Sequence, residues 1–320
     1  MKAIVYHIYG SPAVLTLQDV AKPVPKADEV LVNVRAASVN PYEWHAMRGT
    51  PPIRIETGFF KPKEKIIRAD IAGSVEAVGE NVTQFQPGDA VFGRSIAGGF
   101  AEQVCIAENR LAMKPANCSF KEAAAVPLAA LTALQGLRDK GHIQAGQHVL
   151  INGASGGIGT FAVQIAKSFG AYVTGVCSTK NGEMVHSIGA DRVIDYTQND
   201  FTQTNHPYDL ILDTVGNRSI SAYKRALKPT GRCVILGFSS FGIVFQVLLL
   251  GTLTGLTSNK KIGLMNADIN QEDLNFMKAL LETDQVTPVI DRCYPLESVP
   301  EALQYLGKRH ARGKVIIDLA

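Results

Sequence analysis

The residues best suited to chemistry lie in Val149-Leu150-Ile151-Asn152-Gly153-Ala154-Ser155-Gly156-Gly157-Ile158-Gly159. An apolar strand enters a glycine turn, and an apolar helix leaves it. Gly156 lets the backbone approach a pyrophosphate, and Gly159 lets the helix pack close to the strand. Ser155, Gly157 and Ile158 complete the turn, whose amides at the helix start face the phosphates of a dinucleotide. A glycine triplet alone is weak, but strand, turn and helix in that order strengthen it. The competing reading is a tight turn that holds no ligand.

The following strand ends in Val176-Cys177-Ser178-Thr179-Lys180-Asn181. An NAD site places an acid there to hold the ribose hydroxyls. No acid occurs between Gly170 and Gly182. After Cys177, Ser178 and Thr179 offer two hydroxyls and Lys180 a cation instead, which suit a 2′-phosphate, so NADPH is expected rather than NADH, with all four residues as cofactor contacts. A second group is Asn40-Pro41-Tyr42-Glu43-Trp44-His45. Asn40 could hydrogen-bond a substrate oxygen or the nicotinamide ribose, or simply form a turn before Pro41. Tyr42 is a candidate substrate contact and weak proton source. His45 could donate a proton, but reads more simply as structural, and Trp44 reads as packing.

Elements that position these residues follow from hydrophobic patterning. Residues 1–120 read as β-rich: Glu29–Ala36 alternates, Gly73–Gly79 and Ala90–Gly93 look similar, and Gly10-Ser11-Pro12 and Pro87-Gly88-Asp89 punctuate them. Short strands between such turns suggest a small barrel. Ser119 with Glu122 fits a capping box. From there strands (148–152, 172–177, 192–194, 210–213, 232–236) alternate with helices (158–169, 181–188), the pattern of a doubly wound parallel sheet. The expected division is a β-rich domain of residues 1–120 and 266–320 around a dinucleotide-binding domain of 121–265, the tail returning to close the first sheet.

The chain has 320 residues, enough for about two domains. Its formal charge of +3 and lack of a long basic run argue against a nucleic-acid binder. Five scattered cysteines without a Cys-x-x-Cys pair fit a reducing compartment, and a cytoplasmic location is expected. Met1–Tyr6 is too short an apolar run for a signal peptide. Cys233–Asn259 carries no charge, but Gly237, Ser239, Ser240, Gly242, Gln246 and Gly251 interrupt it as a membrane span. Residues 239–259 read as a lid walling an apolar substrate site, with a subunit contact or a shallow membrane-surface contact as the other readings.

The chain resembles the medium-chain dehydrogenase/reductase superfamily over essentially its whole length. Ala72–Gly79 with Pro87–Val91, Ala124–Ala133 leading into the glycine loop, and Gly313–Ile317 carry the resemblance. Ser38-Val39-Asn40-Pro41 makes it most similar to the zinc-lacking quinone oxidoreductase group. The resemblance implies a GroES-like catalytic domain and a Rossmann domain with the cofactor in the cleft between them. It also implies cofactor contacts from Thr132, from Thr214, Val215 and Gly216, from Leu236, Gly237 and Phe238, from Tyr196 near the adenosine phosphate, and from Lys314. The ligand positions of zinc-dependent members fall on Asn40, on Ala69 beside Asp70, and near Leu128, so no metal is expected. Hydride transfer from NADPH to a quinone or an α,β-unsaturated carbonyl follows, in a homodimer. A 2-enoyl-thioester reductase and a non-enzymatic NADPH-binding protein remain the alternatives.

Overall fold

A computed structural model describes residues 1–203, 205–237 and 259–319. Phe238, and all of the expected lid except Asn259, fall outside them. The chain divides into two compact units. The first comprises Met1–Ala129, Ile269–Asp284 and Pro288–Ala320; the second comprises Ala130–Asp268 and Gln285–Thr287.

In the first unit, a seven-stranded sheet runs in the order Ile290–Pro295, Lys314–Asp318, Glu29–Val39, Arg68–Val78, Ala90–Gly99, Leu111–Met113, and Gln103–Ala107 also pairs with the Glu29 strand. The tail therefore does add to the first sheet, through Lys314–Asp318 antiparallel to Glu29–Val39. In Glu29–Val39 the expected alternation holds only from Val32 to Ala36; Leu31 is buried between Val30 and Val32, and Ala36, Ala37, Ser38 and Val39 are all buried. This strand is central, and the helices Phe120–Ala124 and Val299–Gly307 pack on it, so its second half is covered on both faces. Val30, Val32, Val34, Ile71, Val91, Phe100, Leu111 and Ile317 form the core. The capping box forms: the Ser119 amide donates to Glu122 Oε2 at 2.7 Å and the Glu122 amide donates to Ser119 Oγ at 3.3 Å.

The second unit holds six parallel strands in the order Arg192–Asp195, Tyr172–Cys177, His148–Asn152, Tyr208–Asp213, Leu227–Ile235, Lys261–Leu264. Val149, Leu150, Ile151, Leu210, Ile211 and Leu212 have no exposure, because a parallel sheet with crossover helices is buried on both faces. Strand order reverses between His148–Asn152 and Tyr208–Asp213. Open parallel sheets take ligands at the carboxyl ends of their strands at such a point. That edge is where the glycine turn begins.

Candidate functional site

The glycine turn follows Asn152 and leads into the helix Gly157–Ser168, whose N-cap is Gly156 with no side-chain cap. The first turn of any helix leaves its N–H groups without intrahelical partners, here those of Gly157, Ile158 and Gly159. Each glycine meets a different constraint. Gly153 has φ +82°, and a Cβ there would lie 2.3 Å from Thr214 Oγ1. A Cβ on Gly159 would lie 2.0 Å from the Gly153 carbonyl oxygen, so only glycine lets helix and turn pack this closely. A Cβ on Gly156 would meet only that oxygen, at 3.4 Å. Nothing in this unit's packing requires glycine at 156; the empty space beside it is what a phosphate approaching the backbone needs.

The neighbouring loops are held by polar groups whose bracing role the sequence does not reveal. Asp213 is fully buried. Its Oδ1 accepts from Asn152 Nδ2 at 3.0 Å and from the amides of Val215 and Gly216, each at 2.8 Å. Its Oδ2 accepts from the Tyr223 hydroxyl at 2.5 Å. Burial, then the Asp213 charge, pushes the Tyr223 phenol far above its ordinary value, so it stays a donor. Thr214 Oγ1 donates to the Asn152 carbonyl at 2.9 Å, and a Cβ on Gly237 would lie 2.1 Å from the Thr214 carbonyl oxygen. Asp213 thus folds Thr214, Val215 and Gly216 back against Gly153, with Leu236 and Gly237 beside them. Thr132 lies, nearly buried, on the helix Pro127–Gln135.

At the end of the next strand, Ser155 Oγ accepts from Asn181 Nδ2 at 3.0 Å. Asn181 is 7% exposed and its Oδ1 has no hydrogen-bond partner. An acceptor left unpaired in the interior costs about 1–3 kcal/mol, which a ribose hydroxyl could offset. The orphaned oxygen, the unfilled space at Gly156 and the uncapped helix start fit a dinucleotide. Cys177 is buried, and burial followed by the Asp195 charge pushes its thiol up to about 11. Thr179, Lys180 and Tyr196 are exposed and Ser178 half-buried.

The first unit brings together a different set. Ser38, Asp70 and Arg94 are register partners on three adjacent strands. Arg94 donates to Asp70 Oδ1 at 2.6 Å and to Glu43 Oε1 at 2.8 Å. Glu43, at the third position of the helix Pro41–Arg48, also accepts from the Asn40 amide at 2.6 Å. Asp70 Oδ2 accepts from Ser38 Oγ at 3.2 Å, Asn40 Nδ2 at 3.0 Å and the Leu128 amide at 3.2 Å. Lys314 donates to Asn40 Oδ1, and its Nζ lies 4.0 Å from Asp70 Oδ2. Burial lowers the Lys314 ammonium and raises the Glu43 carboxyl from their ordinary values, while opposite charges oppose both shifts. Two cations and two carboxylates cancel inside one interior.

Of the three zinc-ligand positions implied by the resemblance, the Asn40 amide and the Leu128 backbone N–H meet at Asp70, while the Ala69 methyl packs in the core; an amide, a methyl group and a backbone N–H make no ligand set. Asp70 itself is engaged by Arg94. These residues do not fit a zinc ion. Among the described residues no group of three His, Cys, Asp or Glu side chains could hold a metal.

Tyr42 lies outside this cluster's hydrogen bonds. Its hydroxyl donates to Glu56 Oε2 at 2.9 Å, and the guanidinium carbons of Arg68 and Arg94 sit 4.7 and 5.5 Å from its ring centroid. Burial first, with the Glu56 hydrogen bond and charge, raises its phenol against Arg68. His45 faces Thr50 Oγ1 at 3.1 Å, not Glu43. Trp44 packs on the core, as expected. Lys314, which the resemblance implied as a cofactor contact, has its ammonium turned inward onto Asn40.

Comparison with known proteins agrees with both halves of this description. Residues 26–131 match the alcohol dehydrogenase GroES-like domain, and residues 188–317 match the zinc-binding dehydrogenase family. The quinone oxidoreductase of Sus scrofa is 33% identical, covering 100% of this chain and 98% of its own. The mitochondrial NAD(P)H oxidoreductase RTN4IP1 of Bos taurus is 31% identical over 100% of this chain and 89% of its own. The structure of the quinone oxidoreductase from Coxiella burnetii superposes with a TM-score of 0.89 at 28% identity, covering 100% and 99% of the two chains.

Proposed function

This chain belongs to the medium-chain dehydrogenase/reductase superfamily, in its quinone oxidoreductase group, and from that premise we propose that it is an NADPH-dependent reductase. It transfers a hydride to a quinone or an α,β-unsaturated carbonyl without a metal. The observation that carries the reading is the glycine-lined, uncapped start of the helix Gly157–Ser168, with room beside Gly156 and none beside Gly159.

When bound, the nicotinamide supplies the hydride. The amides of Gly157, Ile158 and Gly159 hold the pyrophosphate. Ser178, Thr179, Lys180 and Tyr196 border the adenosine ribose, and the loop shaped by Asp213 borders the nicotinamide half. Tyr42 is our candidate for meeting the acceptor's oxygen; Asn40, expected to share that role, is buried with its amide already held by Asp70 and Lys314. The raised Tyr42 phenol makes solvent the better proton source. Without a Lewis acid, an alkoxide gains little stabilisation, so an electron-poor acceptor is the matching substrate. The five free thiols support a reducing compartment; we take the enzyme to be a cytoplasmic homodimer.

The test is loss of NADPH absorbance, with NADH alongside, against benzoquinone, phenanthrenequinone, acrolein, butenone and a crotonyl thioester, with and without chelator. Chelator-insensitive turnover of a quinone or enone is the expected result. Turnover of the thioester alone would move the substrate class, and nucleotide binding without any turnover would overturn the reductase reading.

A further inference from the structure

Asp195 ends the strand Arg192–Asp195 and is the register partner of Cys177 on the strand before it. Its carboxylate crosses to the adjoining loop. Oδ2 accepts from Thr179 Oγ1 at 2.5 Å, and Oδ1 accepts from the Thr197 amide at 2.9 Å and the Thr197 hydroxyl at 2.8 Å. The next residue, Tyr196, is tied to the same spot, its amide donating to the Cys177 carbonyl at 3.1 Å. An acid absent from Gly170–Gly182 thus arrives from the neighbouring strand, at the strand end where a dinucleotide site distinguishes its two cofactors.

The consequence is chemical. A 2′-phosphate carries nearly two negative charges and only acceptor oxygens at neutral pH. It needs donors. Thr179 has already given its only proton to Asp195, and the carboxylate adds like charge. A ribose 2′-hydroxyl has a proton to give, and Asp195 has lone pairs to receive it. Resting on the reading of this loop as the adenosine-ribose site, we infer that Asp195 is a specificity-determining residue that weakens the preference for the 2′-phosphate which Ser178, Thr179 and Lys180 create. The protein prefers NADPH only modestly and retains NADH.

Binding of 2′,5′-ADP and of 5′-AMP, measured by calorimetry on the full chain, isolates this end of the cofactor. Asp195→Asn keeps a hydrogen-bond acceptor for Thr179 and removes the charge. It should tighten 2′,5′-ADP by about tenfold, the scale of one unit charge at surface dielectric, while 5′-AMP changes by less than about threefold. Asp195→Ser should move the ratio the same way, which guards against a variant that fails to fold. A ratio unchanged in both, or weaker 2′,5′-ADP binding, would make Asp195 a loop brace and overturn the inference. So would a wild-type preference for 2′,5′-ADP above about a thousandfold. If the wild-type chain binds neither nucleotide, nor NADPH, the dinucleotide reading itself fails; binding of both with an unmoved ratio leaves that reading intact and removes only the role of Asp195.

Discussion

Around Asp70 in the first unit, four charged side chains lie in the interior, each facing its opposite: Arg94 on Asp70 and Glu43, Lys314 on Asn40 and near Asp70. Around Gly156 in the second unit, the polar groups are backbone amides and the neutral side chains of Ser155 and Asn181, and Gly153, Gly156, Gly157 and Gly159 contribute no side chain. The first arrangement is closed, because every charge inside is already answered. The second is open, because helix N–H groups and the Asn181 oxygen still lack partners. A site that must take up and release an anion is served by weak, fixed dipoles rather than by ions that would need re-pairing each time. The two regions therefore predict opposite responses to substitution: stability should suffer in one, affinity in the other.

The largest effect should come from breaking the closed region. Arg94→Met leaves the buried Asp70 and Glu43 with only Lys314 to answer them, which should cost about 3–5 kcal/mol in urea unfolding. Adding Glu43→Gln, which leaves Asp70 to face Lys314, should recover a substantial part, since the unanswered charge rather than the lost contact sets the cost. No recovery would mean the cluster acts by shape. The glycine pair sharpens the contrast. Gly159→Ala should lose about 1–3 kcal/mol of stability, because its new methyl has only backbone to meet. Gly156→Ala should leave the melting temperature nearly unchanged and yet weaken NADPH at least about tenfold, as its methyl occupies the open side. Equal losses of stability from both would refute the assignment of roles.

Smaller effects concern single titrating groups. Tyr42→Phe should change kcat with a quinone by under about tenfold, against the about hundredfold or more expected of a working general acid. Burial, with Arg309 and Arg48 nearby, holds the His45 imidazole below its ordinary 6.5. The folded chain then binds fewer protons than the unfolded chain at and below pH 6.5. The stability from neutral His45 is present above 6.5 and lost as pH falls through the window beneath it. Melting temperatures measured from neutral to mildly acidic pH should slope downward, and His45→Gln should flatten that slope.

What could be read in advance tracks distance along the chain. The cradle, with Gly153, Gly156 and Gly159 inside one turn, was legible because its logic is local, as was the Ser119–Glu122 cap. The parallel sheet was legible from repeated apolar strands and intervening helices. Pairings across strands were not. Asp70 and Arg94 are 24 positions apart and Asn40 and Lys314 are 274 apart, and no spacing rule joins them. Thr179 and Lys180 read as phosphate ligands because the acid beside them, Asp195, enters from another strand. Asn152 and Asp213 were visible only as strand ends until the sheet order made them neighbours.

Lys314 also bears on the order in which the molecule can be made. A chain leaving the ribosome presents Asn40, Glu43, Asp70 and Arg94 early, but the strand Lys314–Asp318 that completes their surroundings emerges last. The second unit is nearly contiguous, from Ala130 to Asp268, and can collapse while the first waits with its central strand exposed along one edge. Proteolysis of stalled nascent chains should find the described strands of the second unit, such as residues 148–152 and 208–213, protected before residues 29–99, reversing the N-terminal-first order usual for domains during synthesis.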